Sequence, residues 1–376
     1  MDVAIVTTRL VDRDAQGNFT AASLAELKAR VSGRVALYTF AYERPPIDGV
    51  EICFLGGVNR HGIGTNVRAL LRTLKTAKEL AGYDRLVLAG PDIGALPAIR
   101  LAKRRNPEMK LIWVYHGLTP PEQLASTRDR LLTRIRRLAY AGSMKRSDRI
   151  KTDSQYSKDE LAGWGVDPSK VTVIPIGIDL TRFSPGPGDK VRASLGVGDR
   201  FLLLYVGRLA SGKHVDNLIR AMAMIKDRPV ALLIVGSGPE RERLEMLAAE
   251  LDVNDAVKFA GRVPDDELPG FYRACDAWVT ASEHEGFCVP IVEAMATGKP
   301  VVVPDVTAMP EAAGTAGLVY RRGNVAEIAR SVMSLLAGNE LYRSLSAKAV
   351  TRASDYDINA VMDSYISLIL RTGEQP

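Results

Sequence analysis

The feature that most constrains this chain is a regular alternation of short apolar strands with helical stretches, which continues through both halves of the sequence. In the first half, runs such as Val3–Thr8 and Leu111–Tyr115 have the β-branched and aromatic content of buried strands. Residues 67–80, which lie between them, place leucines at helical spacing. In the second half, Phe201–Val206 and Val230–Val235 are continuous apolar runs, as in strands covered on both faces. The alternation therefore predicts an α/β fold with two doubly wound parallel sheets.

The passage between residues 175 and 188 separates the two halves. It is rich in proline and glycine, and it follows the predicted strand Val171–Ile174. Because turn-forming residues at this density are typical of linkers, we predict a first domain of residues 1–182 and a second domain that begins at residue 183.

Composition excludes several classes of protein. Of the 376 residues, 46% are hydrophobic and 25% are charged, and no apolar run is long enough to span a membrane. Three cysteines without paired spacing fit a reducing compartment, and four scattered histidines do not have the spacing of a zinc site. The first strand begins at Val3, which leaves no room for a signal peptide. We therefore expect a cytoplasmic protein.

The net charge of +6 is unevenly distributed along the chain. Residues 1–180 contain 28 Lys and Arg against 19 Asp and Glu, a net of +9, and the remaining 22 basic and 25 acidic residues give a net of −3. The densest segment, residues 128–151, contains nine basic and two acidic residues. Two interpretations stay open: a solvated helix face, or a surface that contacts either anionic lipid on the inner face of a membrane or another polyanion. No nucleic-acid partner is expected.

Four apolar residues of this segment recur at helical spacing: Leu131, Leu132, Ile135 and Leu138. Arginines flank that side of the predicted helix, as they do in helices that lie on an anionic surface. In the alternative interpretation, the apolar side faces the domain core and the arginines only face water.

Two glutamates stand eight positions apart in the stretch 282–303. Pro290 suits the first turn of a helix and Gly298 suits the position just past its end, so we predict Glu285 on the preceding loop and Glu293 about one turn inside the helix. The N–H groups of a first helical turn have no helical partners and lie at the positive end of the helix dipole. Such a pocket suits a ligand with many hydroxyls and some negative charge, although an ordinary loop–helix junction with two solvated glutamates would have the same pattern.

Other polar residues directly follow predicted strands, at the edge where ligands gather in parallel sheets. Gly207 and Arg208 follow strand 201–206, and Lys213 comes five residues after the arginine. A glycine lets a ligand approach the backbone, and the two cations suit phosphate oxygens. His116 likewise comes directly after a predicted strand. Each of these residues taken alone has a simpler interpretation, as a surface cation or a core histidine.

Taken in order, these pieces resemble the family 4 retaining glycosyltransferases of GT-B architecture, which use nucleotide sugars. The motifs are Gly207-Arg208-Leu209 with Lys213, then V-G-S-G-P, F-x-G-R-V-P and E-G-F-x-V-P-x2-E-A-M-A-x-G-x-P-V-V. The likeness is specific over residues 171–320 and looser over residues 1–170. It implies two Rossmann-like domains that face a cleft.

The resemblance implies a role for each matching residue of the second domain. It assigns Arg208 and Lys213, beside Gly207, to the diphosphate of the sugar donor, Glu293 to the ribose hydroxyls and Glu285 to the hexose. Two further groups of residues complete the expected site. The first would face the hexose with its N–H groups and consists of Gly286, Phe287, Cys288 and Val289. The second would line the nucleobase and consists of Arg262 and Val263.

In the first domain, the resemblance places His116 near the anomeric carbon of the sugar. It also implies that the last helix, at about 357–376, returns to the first domain, so that residues 183–356 form the domain that binds the sugar donor. The expected catalytic set is His116, Glu285, Arg208 and Lys213.

Two positions depart from the family pattern. The family commonly has paired glycines after the first strand, whereas that loop here offers only Gly17, beside Asn18. The loop 286–288 commonly has a glycine where this chain has Cys288. Both positions would touch the sugar, so the resemblance leaves the identity of the hexose open.

The expected chemistry requires no metal or other cofactor. Departure of a nucleoside diphosphate builds negative charge, which fixed cations and helix-end N–H groups can stabilise. The D-x-D metal signature of the other glycosyltransferase architecture has only poor candidates: Asp12-Arg13-Asp14 lies near the amino terminus, and Asp355-Tyr356-Asp357 lies close to the last helix.

The predicted function is transfer of a hexose from a UDP- or GDP-linked donor to a hydroxyl acceptor, such as a lipid-linked molecule or a glycan of the cell envelope. A binding protein that had lost catalysis would keep Arg208 and Lys213 but lose Glu285 or Glu293, and this chain keeps all four. A sugar-nucleotide epimerase on the same architecture stays open as an alternative. A pyridoxal-dependent phosphorylase would need a cofactor lysine, for which the sequence offers no context.

Overall fold

The structure, a computed structural model, describes residues 1–7, 24–39, 47–54, 75–90, 95–123 and 126–373. The chain divides into two compact units. The first unit contains Met1–Ile176 together with Asn359–Pro376, and the second contains Gly177–Ile358. Each unit contains one parallel sheet.

Seven parallel strands form the sheet of the first unit, in the order β3-β2-β1-β4-β5-β6-β7. Their bounds are β1 Val3–Thr7, β2 Val35–Thr39, β3 Val50–Phe54, β4 Arg85–Ala89, β5 Lys110–Tyr115, β6 Arg149–Thr152 and β7 Val171–Val173. The order runs outward in both directions from β1, as in doubly wound sheets. Tyr115 at the end of β5 pairs with Thr152 at the end of β6, so the residues that follow these two strands are neighbours.

Six parallel strands form the sheet of the second unit, in the order β10-β9-β8-β11-β12-β13. Their bounds are β8 Phe201–Val206, β9 Val230–Val235, β10 Val257–Gly261, β11 Ala277–Val279, β12 Val301–Pro304 and β13 Gly317–Tyr320. The two parallel sheets confirm the predicted fold class. Their central strands are buried along almost their whole length, which explains why they appear in the sequence as continuous apolar runs.

Helices connect the strands in both units. Those with defined bounds are α1 Leu96–Arg105, α2 Thr127–Met144, α3 Gln155–Gly163, α4 Asp189–Leu195, α5 Val215–Met224, α6 Arg241–Glu250, α7 Leu268–Ala274, α8 Val289–Ala296, α9 Met309–Ala313, α10 Val325–Ala337, α11 Asn339–Ala353 and α12 Ile358–Arg371. Residues 24–30 and 75–80 are helical as well.

Capping residues explain two differences from the predicted helices. Helix α2 begins at Thr127, four residues before Leu131, the first apolar residue of the predicted helix, because the Ser126 side chain accepts a hydrogen bond from the N–H of Asp129. Helix α3 was not predicted, and Ser154 caps it by accepting a hydrogen bond from the N–H of Ser157 at 3.1 Å. Helices α4, α7 and α9 were also missed, because five to seven residues are too few to show a helical period.

The last helix, α12, belongs to the first unit. Its buried face includes Val361, Tyr365 and Ile366, and Asp363 on its exposed side forms an ion pair with Arg30. The Arg85 side chain, at the start of β4, donates a hydrogen bond to the carbonyl of Leu370 at 2.6 Å. These contacts hold α12 against the first unit.

None of the helices in the described ranges is both long and apolar enough to cross a membrane.

Candidate functional site

Three glycine-containing loops meet at the carboxyl edge of the second sheet. The N–H of Gly207 donates to the carbonyl of Val235 at 3.0 Å, and the N–H of Gly236 donates to the carbonyl of Gly261 at 2.7 Å. A Cβ added at Gly236, where φ is 141°, would lie 1.9 Å from the carbonyl oxygen of Gly207. Only glycine therefore allows the loops after β8 and β9 to approach so closely.

The two cations predicted to bind phosphate lie on the loop that follows β8. Arg208 has an exposed side chain, and its carbonyl accepts a hydrogen bond from the hydroxyl of buried Tyr205 at 3.2 Å. Lys213 ends a short 3-10 turn, Ser211–Lys213, and its side chain is 27% exposed. Because the Tyr205 hydroxyl and the turn hold the backbone, both cations project from a fixed part of the loop.

The Lys213 ammonium contacts Oε1 of Glu285, which stands 72 positions later in the chain. The N–H of Glu283 donates to the carbonyl of Gly212 at 3.1 Å, so the two loops are also joined through their backbones. The N–H of Glu285 donates to the Thr307 hydroxyl at 3.3 Å. The structure thus places the predicted phosphate lysine and the predicted hexose carboxylate in one site.

Helix α8 has the start and end that the sequence predicts. Pro290 lies in its first turn, and Gly298 adopts φ 78° just past its end. Cys288 precedes the helix with φ 68°, a left-handed conformation that is uncommon for a residue other than glycine. This explains physically why a glycine would suit the position. Val289, the first residue of the helix, is partly exposed.

Phe287 and Cys288 are buried, so only their backbone groups remain as candidates for contact with a ligand. The ring of Phe287 packs edge-on against Tyr356, with centroids 5.4 Å apart. Burial raises the pKa of the Cys288 thiol well above its ordinary value. The thiol therefore stays protonated and packs as a small apolar group, not as a nucleophile. Gly286 is partly exposed.

Glu293 lies one turn inside α8, as predicted, but its environment differs from that of Glu285. It is 8% exposed, and its Oε2 accepts a hydrogen bond of 2.6 Å from the Tyr272 hydroxyl. Burial raises the pKa of Glu293 to about 7, against the opposing effects of the Tyr272 hydrogen bond and the Arg182 charge. At neutral pH the carboxyl can therefore both donate and accept hydrogen bonds, as a ligand with vicinal hydroxyls requires.

The remaining predicted residues of the second unit lie after β10. Arg262 is exposed and Val263 is partly exposed. The N–H of Gly236 donates to the carbonyl of Gly261, so this loop lies beside the loop after β9. Both predicted nucleobase residues are thus on the same edge of the sheet as Arg208.

In the first unit, His116 is held by Asp153, which was not predicted to be a site residue. Nδ1 of His116 lies 2.8 Å from Oδ2 of Asp153, and the Lys151 ammonium contacts the other carboxylate oxygen. Asp153 and Lys151 are both fully buried. The sequence contained a signal for this contact. His116 and Asp153 each follow directly after a strand, and β5 and β6 are neighbours in the sheet.

Two other positions were missed in the second unit, Tyr272 and Thr307. Each contacts a predicted carboxylate residue, but neither belongs to a recognisable motif, so only the folded structure reveals them. Gly17 lies outside the described residues. Among the residues that the structure describes, no group of three or more His, Cys, Asp or Glu side chains could hold a metal ion.

Helix α2 presents a second candidate surface. Its four apolar residues are exposed, with relative accessibilities of 59% for Leu131, 46% for Leu132, 48% for Ile135 and 75% for Leu138. The interpretation in which this side of the helix faces the domain core is therefore wrong. Only the last part of α2 is buried, through residues such as Tyr140 and Met144.

Both units contain a doubly wound parallel sheet, and solved structures of the same architecture can be compared with them. HepE of Anabaena, solved in complex with UDP, matches with a TM-score of 0.80 and 20% identity over 98% of this chain and 100% of that chain. WaaG, a glycosyltransferase involved in lipopolysaccharide biosynthesis, matches with a TM-score of 0.72 and 19% identity over 98% and 99% of the two chains. The chain therefore has the GT-B fold.

Sequence comparison identifies the family. The profile of the Glycosyltransferase Family 4 domain matches residues 20–182, and that of the Glycosyl transferases group 1 domain matches residues 189–352. The chain thus belongs to the group 1, family 4 glycosyltransferases, and the predicted resemblance is confirmed.

Curated relatives agree with this assignment. The D-inositol 3-phosphate glycosyltransferase of Actinosynnema mirum is 31% identical over 274 residues, which cover 68% of this chain and 66% of the relative. The protein of the same name from Geodermatophilus obscurus is 32% identical over 281 residues, which cover 70% and 62%. The matches thus span just under two thirds of these relatives.

Proposed function

We propose that this chain is a retaining glycosyltransferase that moves a hexose from a nucleoside diphosphate sugar to a hydroxyl acceptor. The observation that carries the proposal is the contact between Lys213 and Glu285 beside the glycine loops of the second sheet. In this proposal, Lys213 supplies a cation for the diphosphate and Glu285 supplies a carboxylate for sugar hydroxyls, beside the glycines that let the loops after β8 and β9 approach each other.

The charges suit the reaction. As the bond to the sugar breaks, negative charge grows on the departing diphosphate, and we assign its stabilisation to Arg208 and Lys213. No metal is required in this scheme, because the two cations supply the positive charge. His116 is the residue to which the family resemblance gives a role near the anomeric carbon.

The comparisons favour particular partners. HepE has been solved with UDP-glucose, which supports a UDP-hexose as the sugar donor, with a GDP-hexose as the alternative. The curated relatives are named for an inositol phosphate, and residues 1–180 of this chain have a net charge of +9. An acceptor that bears a hydroxyl beside an anionic group, on a lipid-linked molecule or a glycan of the cell envelope, fits both observations.

A screen of nucleotide sugars tests the proposal. The purified chain is incubated with UDP- and GDP-hexoses, binding is measured by thermal shift, and release of UDP or GDP is measured with candidate acceptors. We expect one class of nucleotide sugar to stabilise the protein and Lys213→Gln to abolish that stabilisation. Lys226→Gln is the matched control, because Lys226 forms an exposed ion pair with Asp252 in the same unit.

The products distinguish the alternatives. An epimerase would convert the nucleotide sugar without an acceptor, and a binding protein without catalysis would be stabilised by the sugar donor but release no nucleotide. Either result would show that the chain has a function other than sugar transfer. Absence of stabilisation by any nucleotide sugar would refute the whole assignment.

We also propose that α2 brings a cytoplasmic enzyme into peripheral contact with an anionic membrane. The exposed apolar residues of α2 lie among exposed arginines, including Arg128, Arg134 and Arg136. Apolar side chains that enter the lipid interface, with cations beside them, are the features of helices that lie on anionic bilayers.

Co-sedimentation with lipid vesicles tests this contact. Binding should occur with anionic vesicles, decrease as salt is added, and be lost on the double substitution Leu131→Ser and Leu138→Ser. The control substitutes Met246 and Val350 with serine, since these exposed apolar residues lie on the second unit. No binding to anionic vesicles at low salt would favour a soluble acceptor.

A further inference from the structure

A buried ion pair lies directly beside His116 in the first unit. Lys151 and Asp153 keep 2% and 1% of their side-chain surfaces exposed, whereas His116 keeps 34%. The Lys151 ammonium contacts Oδ1 of Asp153, and Oδ2 lies 2.8 Å from Nδ1 of His116. The carboxylate thus uses one oxygen for a cation and the other for the imidazole.

The protonation of Asp153 determines which imidazole nitrogen carries the proton. Burial alone would raise the pKa of Asp153, but the charges of His116 and Lys151, with their hydrogen bonds, lower it to about 2. Asp153 is therefore a carboxylate near neutral pH, and a carboxylate can only accept hydrogen bonds. Nδ1 of His116 must then be the donor, which leaves the lone pair of the neutral ring on Nε2.

We propose that Asp153 is a positioning residue that fixes His116 as the Nδ1–H tautomer, so that Nε2 accepts a hydrogen bond from a hydroxyl of a bound sugar or acceptor. Lys151 acts on the same group. Its ammonium pairs with the carboxylate and offsets its charge. The inference rests on the proposed function, in which His116 contacts the reacting sugar.

Among the described residues, Tyr365 on the buried side of α12 also faces Asp153. Burial raises the pKa of this phenol, so it stays neutral near Asp153. In the described part of the chain, the side chains that pair with the Asp153 carboxylate are therefore Lys151 and His116.

The test combines histidine nitrogen NMR with kinetics. In the parent protein labelled with 15N-histidine, we expect the neutral His116 ring to give a protonated Nδ1 and an unprotonated Nε2. Asp153→Asn should abolish this preference and lower kcat by on the order of tenfold or more, with a smaller change in KM for the sugar donor.

Asp153→Asn alone leaves the Lys151 ammonium buried without its carboxylate, and this costs stability. The double substitution Lys151→Met with Asp153→Leu removes both charges and should recover most of that stability. If Asp153 positions His116, the double variant has no acceptor for Nδ1–H and keeps the low kcat. Recovery of kcat together with stability would show a structural role only and overturn the proposal.

The NMR measurement needs no turnover, so it separates this inference from the proposed function. A predominant Nε2–H tautomer in the parent protein would overturn the positioning role directly. A fixed Nδ1–H tautomer in a chain that transfers no sugar would support the positioning by Asp153 and overturn only the proposed function.

Discussion

Glu293 should make the stability of the second unit depend on pH. Burial raises its pKa from the ordinary 4.5 to about 7 in the folded chain, whereas in the unfolded chain the carboxyl returns to its ordinary value. Between pH 4.5 and about 7, the folded chain therefore holds a proton that the unfolded chain has lost. The contribution of Glu293 to the free energy of unfolding is therefore fully present below pH 4.5 and is lost as the pH rises through about 7.

The size of the effect follows from the two pKa values. At about 1.4 kcal/mol for each pH unit, the gap between 4.5 and about 7 is worth about 3 kcal/mol of unfolding free energy. Glu293→Gln removes the ionisation, and the amide can still accept the hydrogen bond from Tyr272. We therefore expect this variant to gain up to about 3 kcal/mol relative to the parent protein between about pH 5 and about pH 8.

The assay compares urea titrations of the two proteins at both pH values, followed by hydrogen exchange in peptides from β8 and β9 so that the signal reports the second unit. The control is Glu327→Gln: hydrogen bonds from Arg321 lower the pKa of Glu327 below its ordinary 4.5, so the stability from this group is lost only below that pH, and the difference between this variant and the parent protein should be nearly the same at about pH 5 and about pH 8. An equal difference between Glu293→Gln and the parent protein at both pH values would refute the reasoning.

Three further outcomes are expected. Arg208→Ala and Lys213→Ala should each slow sugar transfer by roughly 30- to 1000-fold, since removing one contact to a developing charge costs roughly 2–4 kcal/mol; near-normal rates in both variants would exclude their diphosphate role. Transfer should continue in excess chelator, and a rate restored only by added manganese or magnesium would contradict the metal-independent scheme. Gly236→Ala should lower the unfolding free energy by roughly 2 kcal/mol or more in denaturant titrations. Gly212→Ala is the control and should change it little, because nothing lies within 4 Å of the added Cβ. Equal effects of the two substitutions would show that the loops after β8 and β9 do not require glycine at position 236.

The strands could be predicted from sequence because burial on both faces leaves a simple signature. Phe201–Val206 and Val230–Val235 have the predicted bounds, since every position in such a strand favours an apolar side chain. Short helices leave no such signature. Helix α3, for example, buries only Ser157 and Leu161, too few positions to establish a helical period, and only its cap at Ser154 signals where it begins.

The candidate site was predictable where it depends on strand ends and helix ends. The position of Glu293 inside α8 follows from Pro290 and Gly298 alone. The contact between Lys213 and Glu285 could not be derived in this way, because it joins two loops that are far apart in the sequence and requires knowledge of which strands are neighbours. The same applies to Tyr272, whose hydroxyl reaches Glu293 from a helix that the sequence did not reveal.

The two glutamates of this stretch show how environment separates the roles of identical side chains. Glu293 is buried against a phenol, so its ionisation depends on burial. Glu285 contacts the ammonium of Lys213, so its carboxylate is balanced by a cation. A diphosphate with two negative charges would compete with one carboxylate for that ammonium. Binding of a nucleotide sugar would then draw Lys213 towards the phosphates and free Glu285 to accept hydrogen bonds from sugar hydroxyls. A nucleoside without phosphates offers no such competition, so the ion pair itself favours ligands that carry both a diphosphate and a sugar.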